Sequence, residues 1–298
     1  MPETLRLRGI YVPLITPFAP DGSVALDAVA TLAHEYLDAG ATGLVPLGTT
    51  GEAPALTAAE QRAVVDTCSA ICVERNAALI VGIGTNSTRT TLANVEAFAD
   101  VPGLSAYLVV VPYYVRPSEA GIVGHFRAVA DASPVPLVLY NVAFRTGRNL
   151  SAAGVIEAAQ HPNIAGIKQA ATGLDLDTLE LLRGAPDDFA VLGGEDPFLF
   201  PVMLMGGKGA ICASAHVCTE QFVSMIECGM AGKVDEGRAH AEALLPVVQA
   251  CFAEPNPAVF KGVLHAQGRI PTPDVRSPLT NASAAAIDAA LAAIATVR

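Results

Sequence analysis

The chain has 298 residues, 52% of them hydrophobic and only 16% charged, which supplies a large core and excludes a disordered chain. Lys and Arg number 18 against 29 Asp and Glu, a formal net charge of -11, which speaks against nucleic acid or an anionic membrane as a partner. An anionic substrate must then be drawn by a few local cations, not by the field of the whole molecule.

The opening Met1-Pro2-Glu3-Thr4-Leu5-Arg6 has no apolar run of the kind that marks a secretory signal. Short runs dense in Val, Ile and Leu predict strands over 10–15, 43–47, 78–83, 106–111, 135–140, 164–168, 189–192 and 209–212. None alternates with polar residues, the pattern of strands buried on both faces of a parallel sheet. The longest apolar stretch, 106–115, is broken by Pro112 and falls far below the ~20 residues that cross a bilayer. A soluble, cytoplasmic protein is expected.

Between the strands lie helical patterns with start signals. Thr57-Ala58-Ala59-Glu60 has capping-box spacing, and Ser118 is placed to cap a helix running through His125 and Phe126. One strand–helix unit every ~27 residues is the spacing of a (β/α)8 barrel. From Cys218 onward only helical patterns remain, over 220–230, 234–251, 258–267 and 284–295. The expectation is an α/β TIM barrel forming a catalytic domain over 1–217, with a C-terminal helical extension over 218–298. A doubly wound sheet is the alternative, but Gly82-Ile83-Gly84 lacks the third glycine and the later acidic residue of a dinucleotide site. Cysteines 68, 72, 212, 218, 228 and 251 form no C-x-x-C pair and read as buried, reduced thiols.

Four lysines are present. Lys233 reads as a solvated helix start, Lys208 as a loop before a strand, and Lys261 as another helix start. Lys168 differs, because it ends the run Ile164-Ala165-Gly166-Ile167 at the carboxyl end of a buried strand, the catalytic end in a barrel. Burial of an ammonium there favours the free amine, the nucleophilic form, although a structural lysine snorkelling to the rim has the same pattern. Other functional groups fall on the same rim: Gly48-Thr49-Thr50-Gly51-Glu52, Tyr113-Tyr114, the segment Tyr140 to Gly147, and Gly193-Gly194-Glu195-Asp196. Each alone reads as a turn or cap; together they point to a site.

These segments, with Gly166-Ile167-Lys168 and Glu254-Pro255-Asn256-Pro257, resemble the dihydrodipicolinate synthase / N-acetylneuraminate lyase family of class I, pyruvate-dependent aldolases, nearly end to end. The resemblance implies that Lys168 forms an imine with pyruvate, which becomes an enamine nucleophile. It implies that Tyr140 donates and accepts protons over the imine, in a hydroxyl relay with Thr49 and Tyr114. Thr50, Gly194 and the backbone of Ile211 would hold substrate. Tyr113 would pack across a dimer interface within a homotetramer or homodimer. No metal or cofactor is implied, since the iminium takes up the electrons.

Thr49 and Arg145 are the combination of the synthase branch of that family, in which the arginine meets the carboxylate of L-aspartate-4-semialdehyde. A guanidinium fork suits a carboxylate bidentately and stays charged. The chain departs from that branch at Ala143, where proline is usual, and at Gln169, where glutamate is usual. At Ala53, Ala58, Gln61 and Thr90 the histidine and glutamate ligands for feedback lysine are missing, and only Asn86 and Tyr113 match, so lysine inhibition is expected to be weak or absent. Three readings follow: this synthase, another pyruvate-dependent aldolase or dehydratase acting on a different 2-oxo acid or aldehyde, and a barrel that binds small carboxylates without catalysis. Glu195 and Asp196 are expected to cap a helix.

Overall fold

The computed structural model describes residues 7–171 and 173–297; the opening segment 1–6 lies outside them. In chain order the elements are β1 (Gly9–Val12), α1 (Leu26–Asp38), β2 (Gly43–Leu44), α2 (Ala58–Arg75), β3 (Ala78–Gly82), α3 (Thr88–Phe98), β4 (Leu104–Val110) and α4 (Glu119–Ala132). There follow β5 (Leu137–Asn141), α5 (Ala143–Thr146), α6 (Ala152–Ala158), β6 (Ile164–Gln169), α7 (Leu176–Gly184), β7 (Ala190–Gly193), α8 (Leu199–Leu204) and β8 (Gly209–Ile211). The last four are α9 (Thr219–Met230), α10 (Val234–Cys251), α11 (Ala258–Ala266) and α12 (Ala284–Ile294).

The eight strands pair in sequence order, all parallel, and β8 returns to β1 to close a barrel. Closure gives two cores. Tyr11, Val45, Ile80, Leu108, Val138, Leu192 and Ile211 fill the barrel interior. A larger apolar layer, including Leu14, Val64, Val81, Phe126, Val155 and Phe222, lies between the strands and the surrounding helices. Burial on both faces is why the strand segments carry no polar alternation.

The anticipated caps form. The Thr57 hydroxyl accepts from the Glu60 amide while the Glu60 carboxylate accepts from the Thr57 amide, and α2 ends on left-handed Asn76. Ser118 accepts from the Gly121 amide at the start of α4. Helix α9, which follows the expected boundary at residue 218, packs on β1, β8 and α8 as well as on α10. Periodicity identifies a helix but not its partner. Helix α10 packs along α9 and reaches the turn at Asp196–Phe198, which follows the carboxyl end of β7.

All six cysteines are free and buried. Among the described residues no helix is long and apolar enough to cross a membrane.

Two histidines are buried neutral. The His216 ring donates from Nδ1 to the Ala213 carbonyl at 2.7 Å and accepts at Nε2 from the Ile15 amide at 3.2 Å, tying the β1 and β8 loops together. Burial lowers its pKa to about 4, and lowers that of His125 to about 4 as well. Both must take up a proton on unfolding below their ordinary pKa, so their contribution to stability is full above about pH 6.5 and is lost as pH drops from 6.5 towards 4. Denaturant unfolding at pH 5 and pH 7 is expected to differ by about 2 kcal/mol per histidine; equal stability at the two pH values would contradict the buried neutral rings.

Candidate active site

Strand register sets the centre of the site. Tyr140 on β5 pairs with Lys168 on β6, so both side chains point into the barrel at the same height near the carboxyl ends. Lys168 Nζ lies 4.5 Å from the Tyr140 ring centroid, and each residue is only 7% exposed. An amine over a phenol ring, both largely buried at the edge of a cavity, is well placed for covalent chemistry on a carbonyl with proton transfer beside it. Gly194, following β7, leaves the room: a Cβ there would fall 2.7 Å from Lys168 Cγ and 2.9 Å from Cε.

These groups open on an inner cavity of about 500 Å³ that also takes in Thr49, Thr50, Arg145, Glu195, Asp196 and Ile211. The structure thus gathers Lys168, Tyr140, Thr49, Thr50, Arg145, Gly194 and Ile211 around one space. One further wall comes from the end of α10 and the segment after it, including Val248, Phe252 and Asn256.

Tyr113 and Tyr114 lie elsewhere. They line an outer cavity of about 750 Å³ that shares Thr49, Tyr140 and Arg145 with the inner one. Tyr114 is 86% exposed and does not line the Lys168 cavity, so within one chain it is not among the groups gathered around Lys168. Tyr113, Val115 and Phe144 are exposed beside it. Leu47, Glu52, Tyr114 and Arg116, all lining this mouth, have φ of 58°, 54°, 71° and 48°. Left-handed backbone costs a non-glycine residue of order 1 kcal/mol or more, and such strain concentrates where geometry serves function.

The charges around Lys168 are uneven. Burial raises the Glu195 pKa, with neighbouring Asp196 adding to it, while Lys168 and Arg145 pull it down. Burial likewise raises Asp196, against the hydrogen bond from Ser214. The turn Asp196–Phe198 has no side-chain cap of its own, and Asp196 accepts from the Ser214 amide at 2.7 Å, in the first turn of the short helix Ala213–His216 that follows β8. The short Asp196–Phe198 turn bends the carboxylate towards its spatial neighbour, which local sequence does not reveal. Arg145 is exposed at the rim, its guanidinium 4.9 Å from the Phe144 ring centroid.

Three residues at or behind this site, Glu52, Asn256 and Lys261, carry no assigned role above. Asn256 Nδ2 donates to Thr50 Oγ1 at 3.0 Å, and Lys261, expected as an ordinary helix start, is fully buried against Glu52. The signals were the Glu254-Pro255-Asn256-Pro257 and Gly-Thr-Thr-Gly-Glu segments, and the apolar run Ala258-Val259-Phe260 that leads into Lys261, since a helix apolar all round is a buried one. Among the described residues no three His, Cys, Asp or Glu side chains gather as metal ligands would.

The model of the dihydrodipicolinate synthetase family matches residues 6–296. A 4-hydroxy-tetrahydrodipicolinate synthase of Moorella thermoacetica is 40% identical over 274 residues, 92% of each chain. One from Neisseria gonorrhoeae is 37% identical over 290 residues, 96% of this chain and 98% of the relative. The crystal structure of a dihydrodipicolinate synthase from Acinetobacter baumannii complexed with pyruvate superposes with a TM-score of 0.93 at 31% identity, covering 97% and 98% of the two chains. With a family match along almost its whole length and relatives 40% and 37% identical over nearly their whole length, this chain belongs to the dihydrodipicolinate synthetase family.

Proposed function

We propose that the protein is a Schiff-base lyase that condenses pyruvate with L-aspartate-4-semialdehyde, as a 4-hydroxy-tetrahydrodipicolinate synthase. The observation that carries this reading is the pairing of Lys168 with Tyr140 across β5 and β6, Nζ 4.5 Å from the ring, in a cavity of about 500 Å³. The family and the names of its relatives agree with it.

The Lys168 amine adds to the pyruvate ketone and water leaves, giving an iminium. Loss of a methyl proton turns this into an enamine, whose terminal carbon forms the new bond to the aldehyde. The proton taken from the methyl group and the one given to the new alkoxide both pass within reach of the Tyr140 phenol. A phenol shuttles protons efficiently only inside a hydrogen-bond chain, for which Thr49 supplies a hydroxyl that lines both cavities. The amino group of the condensed product then displaces Lys168 from the imine and closes the ring. No metal or cofactor enters, because the iminium is the electron sink. Thr50, Gly194 and the Ile211 backbone hold the pyruvate end, and Arg145 meets the carboxylate of the aldehyde.

Tyr114 joins the relay when a second copy packs on the outer face. The exposed Tyr113, Tyr114, Val115 and Phe144 are the apolar surface that a dimer, and from it a tetramer, would cover. Six buried free thiols suit a reducing compartment, in keeping with the cytoplasm.

Arg145→Ala tests the choice of acceptor. With aspartate semialdehyde kcat/KM is expected to fall by about two decades, whereas an uncharged aldehyde should lose little. Equal losses for both would contradict the role given to the guanidinium and favour a different aldehyde for this barrel.

A further inference from the structure

One buried ion pair has no part in the chemistry above, yet it ends on the threonine turn. Lys261 on α11 and Glu52 have side chains 0% and 1% exposed, and Nζ donates to Oε1 at 2.5 Å. Nζ also donates to the Asp274 carbonyl at 2.8 Å and sits 3.9 Å from the Phe18 ring centroid. The second carboxylate oxygen of Glu52 accepts from the Arg276 amide at 2.8 Å. Glu52 ends the turn Thr49–Gly51 in left-handed backbone, φ 54° and ψ 32°, with its amide donating to the Thr49 carbonyl. A side chain clamped on both oxygens keeps that backbone from relaxing, and the backbone is continuous with Thr49 and Thr50.

The same stretch of chain grips the turn a second time. Asn256, just before α11, donates from Nδ2 to Thr50 Oγ1 at 3.0 Å. A hydroxyl whose oxygen already accepts is left to donate its proton elsewhere, and Thr50, 3% exposed, lines the Lys168 cavity. A buried ion pair adds little net stability over well-packed apolar residues, so its consequence here is geometric.

We propose that Asn256 and Lys261 are positioning residues for the keto-acid end of the site. Lys261 acts through Glu52, Asn256 acts directly on Thr50, and together they hold the Thr50 hydroxyl as a donor to the pyruvate carboxylate. On this account the C-terminal extension is part of the pyruvate pocket and not an appendage to it. The inference rests on the pyruvate reading of Lys168.

Two variants test it. Glu52→Gln combined with Lys261→Met removes both charges at once, leaving none unpaired in the interior. Asn256→Ala releases Thr50 and leaves the ion pair intact. In each folded variant the KM for pyruvate is expected to rise about tenfold or more while the KM for the aldehyde stays within about twofold. A pyruvate KM within about twofold of the parent in both variants overturns the proposal, as does a parallel rise of both KM values with a lowered Tm, the mark of a merely structural role. Should the double variant not fold, Asn256→Ala decides alone. Borohydride trapping of pyruvate on the unmodified protein separates the two levels. No adduct sinks the Schiff-base reading itself, whereas an adduct together with unchanged KM values sinks only the positioning role.

Discussion

Lys168→Ala is expected to lower kcat on the order of 10³-fold or more with every acceptor aldehyde, because the variant has no amine to carry the imine. Lys168→Arg should be as inactive. A guanidinium keeps the charge and much of the length but is not a nucleophile near neutral pH, so the pair separates electrostatic from covalent roles. The fold should survive both changes. Lys168 packs against the Tyr140 ring and Gly194, at the open end of the barrel interior, and the apolar layer beneath it is untouched. Far-UV circular dichroism with steady-state kinetics checks this: a folded Lys168→Ala protein that retains even a tenth of the parent kcat would contradict covalent catalysis at this residue.

Tyr140→Phe is the second large effect. The ring would stay between its neighbours on β4 and β6, so packing is preserved and only the hydroxyl is lost. General acid–base catalysis by one positioned group accounts for about 10²–10⁴-fold in rate, and a loss in that range is expected in kcat. The imine should still form, more slowly, since the amine and the cavity remain. Pre-steady-state trapping would then give a full adduct at long times with a reduced rate of formation. A kcat within about threefold of the parent would remove Tyr140 from the proton path and leave that task to another group in the cavity.

The barrel was legible in the sequence because its physics is local. A strand covered on both faces must be apolar throughout, and all eight such runs became barrel strands. Lys168 was legible for the same reason, as a cation at the end of an apolar run can lie only at the rim. Lys261 was not. Its partners Glu52 and Phe18 lie 209 and more residues away in sequence, and no local pattern announces that a helix will carry its lysine into an interior built from the first strands. The same distance hid the role of Asn256, 206 residues from Thr50. Tyr114 shows a different limit. Its place in the chain suggested a member of the Lys168 relay, but the turn at the mouth carries it outward, to line the outer cavity and not the Lys168 one. Helix α9 shows a third, since a clear periodicity did not reveal which elements it packs on, β1 among them.

Incubation with pyruvate and sodium borohydride, followed by intact-mass and peptide mapping, bears most directly on the assignment of the nucleophile. Reduction should fix one pyruvate per chain on the peptide containing Lys168, and nowhere else. An unmodified Lys168 peptide under saturating pyruvate, or an adduct confined to Lys208, Lys233 or Lys261, would show that this amino group does not form the carbon–nitrogen bond on which the mechanism depends.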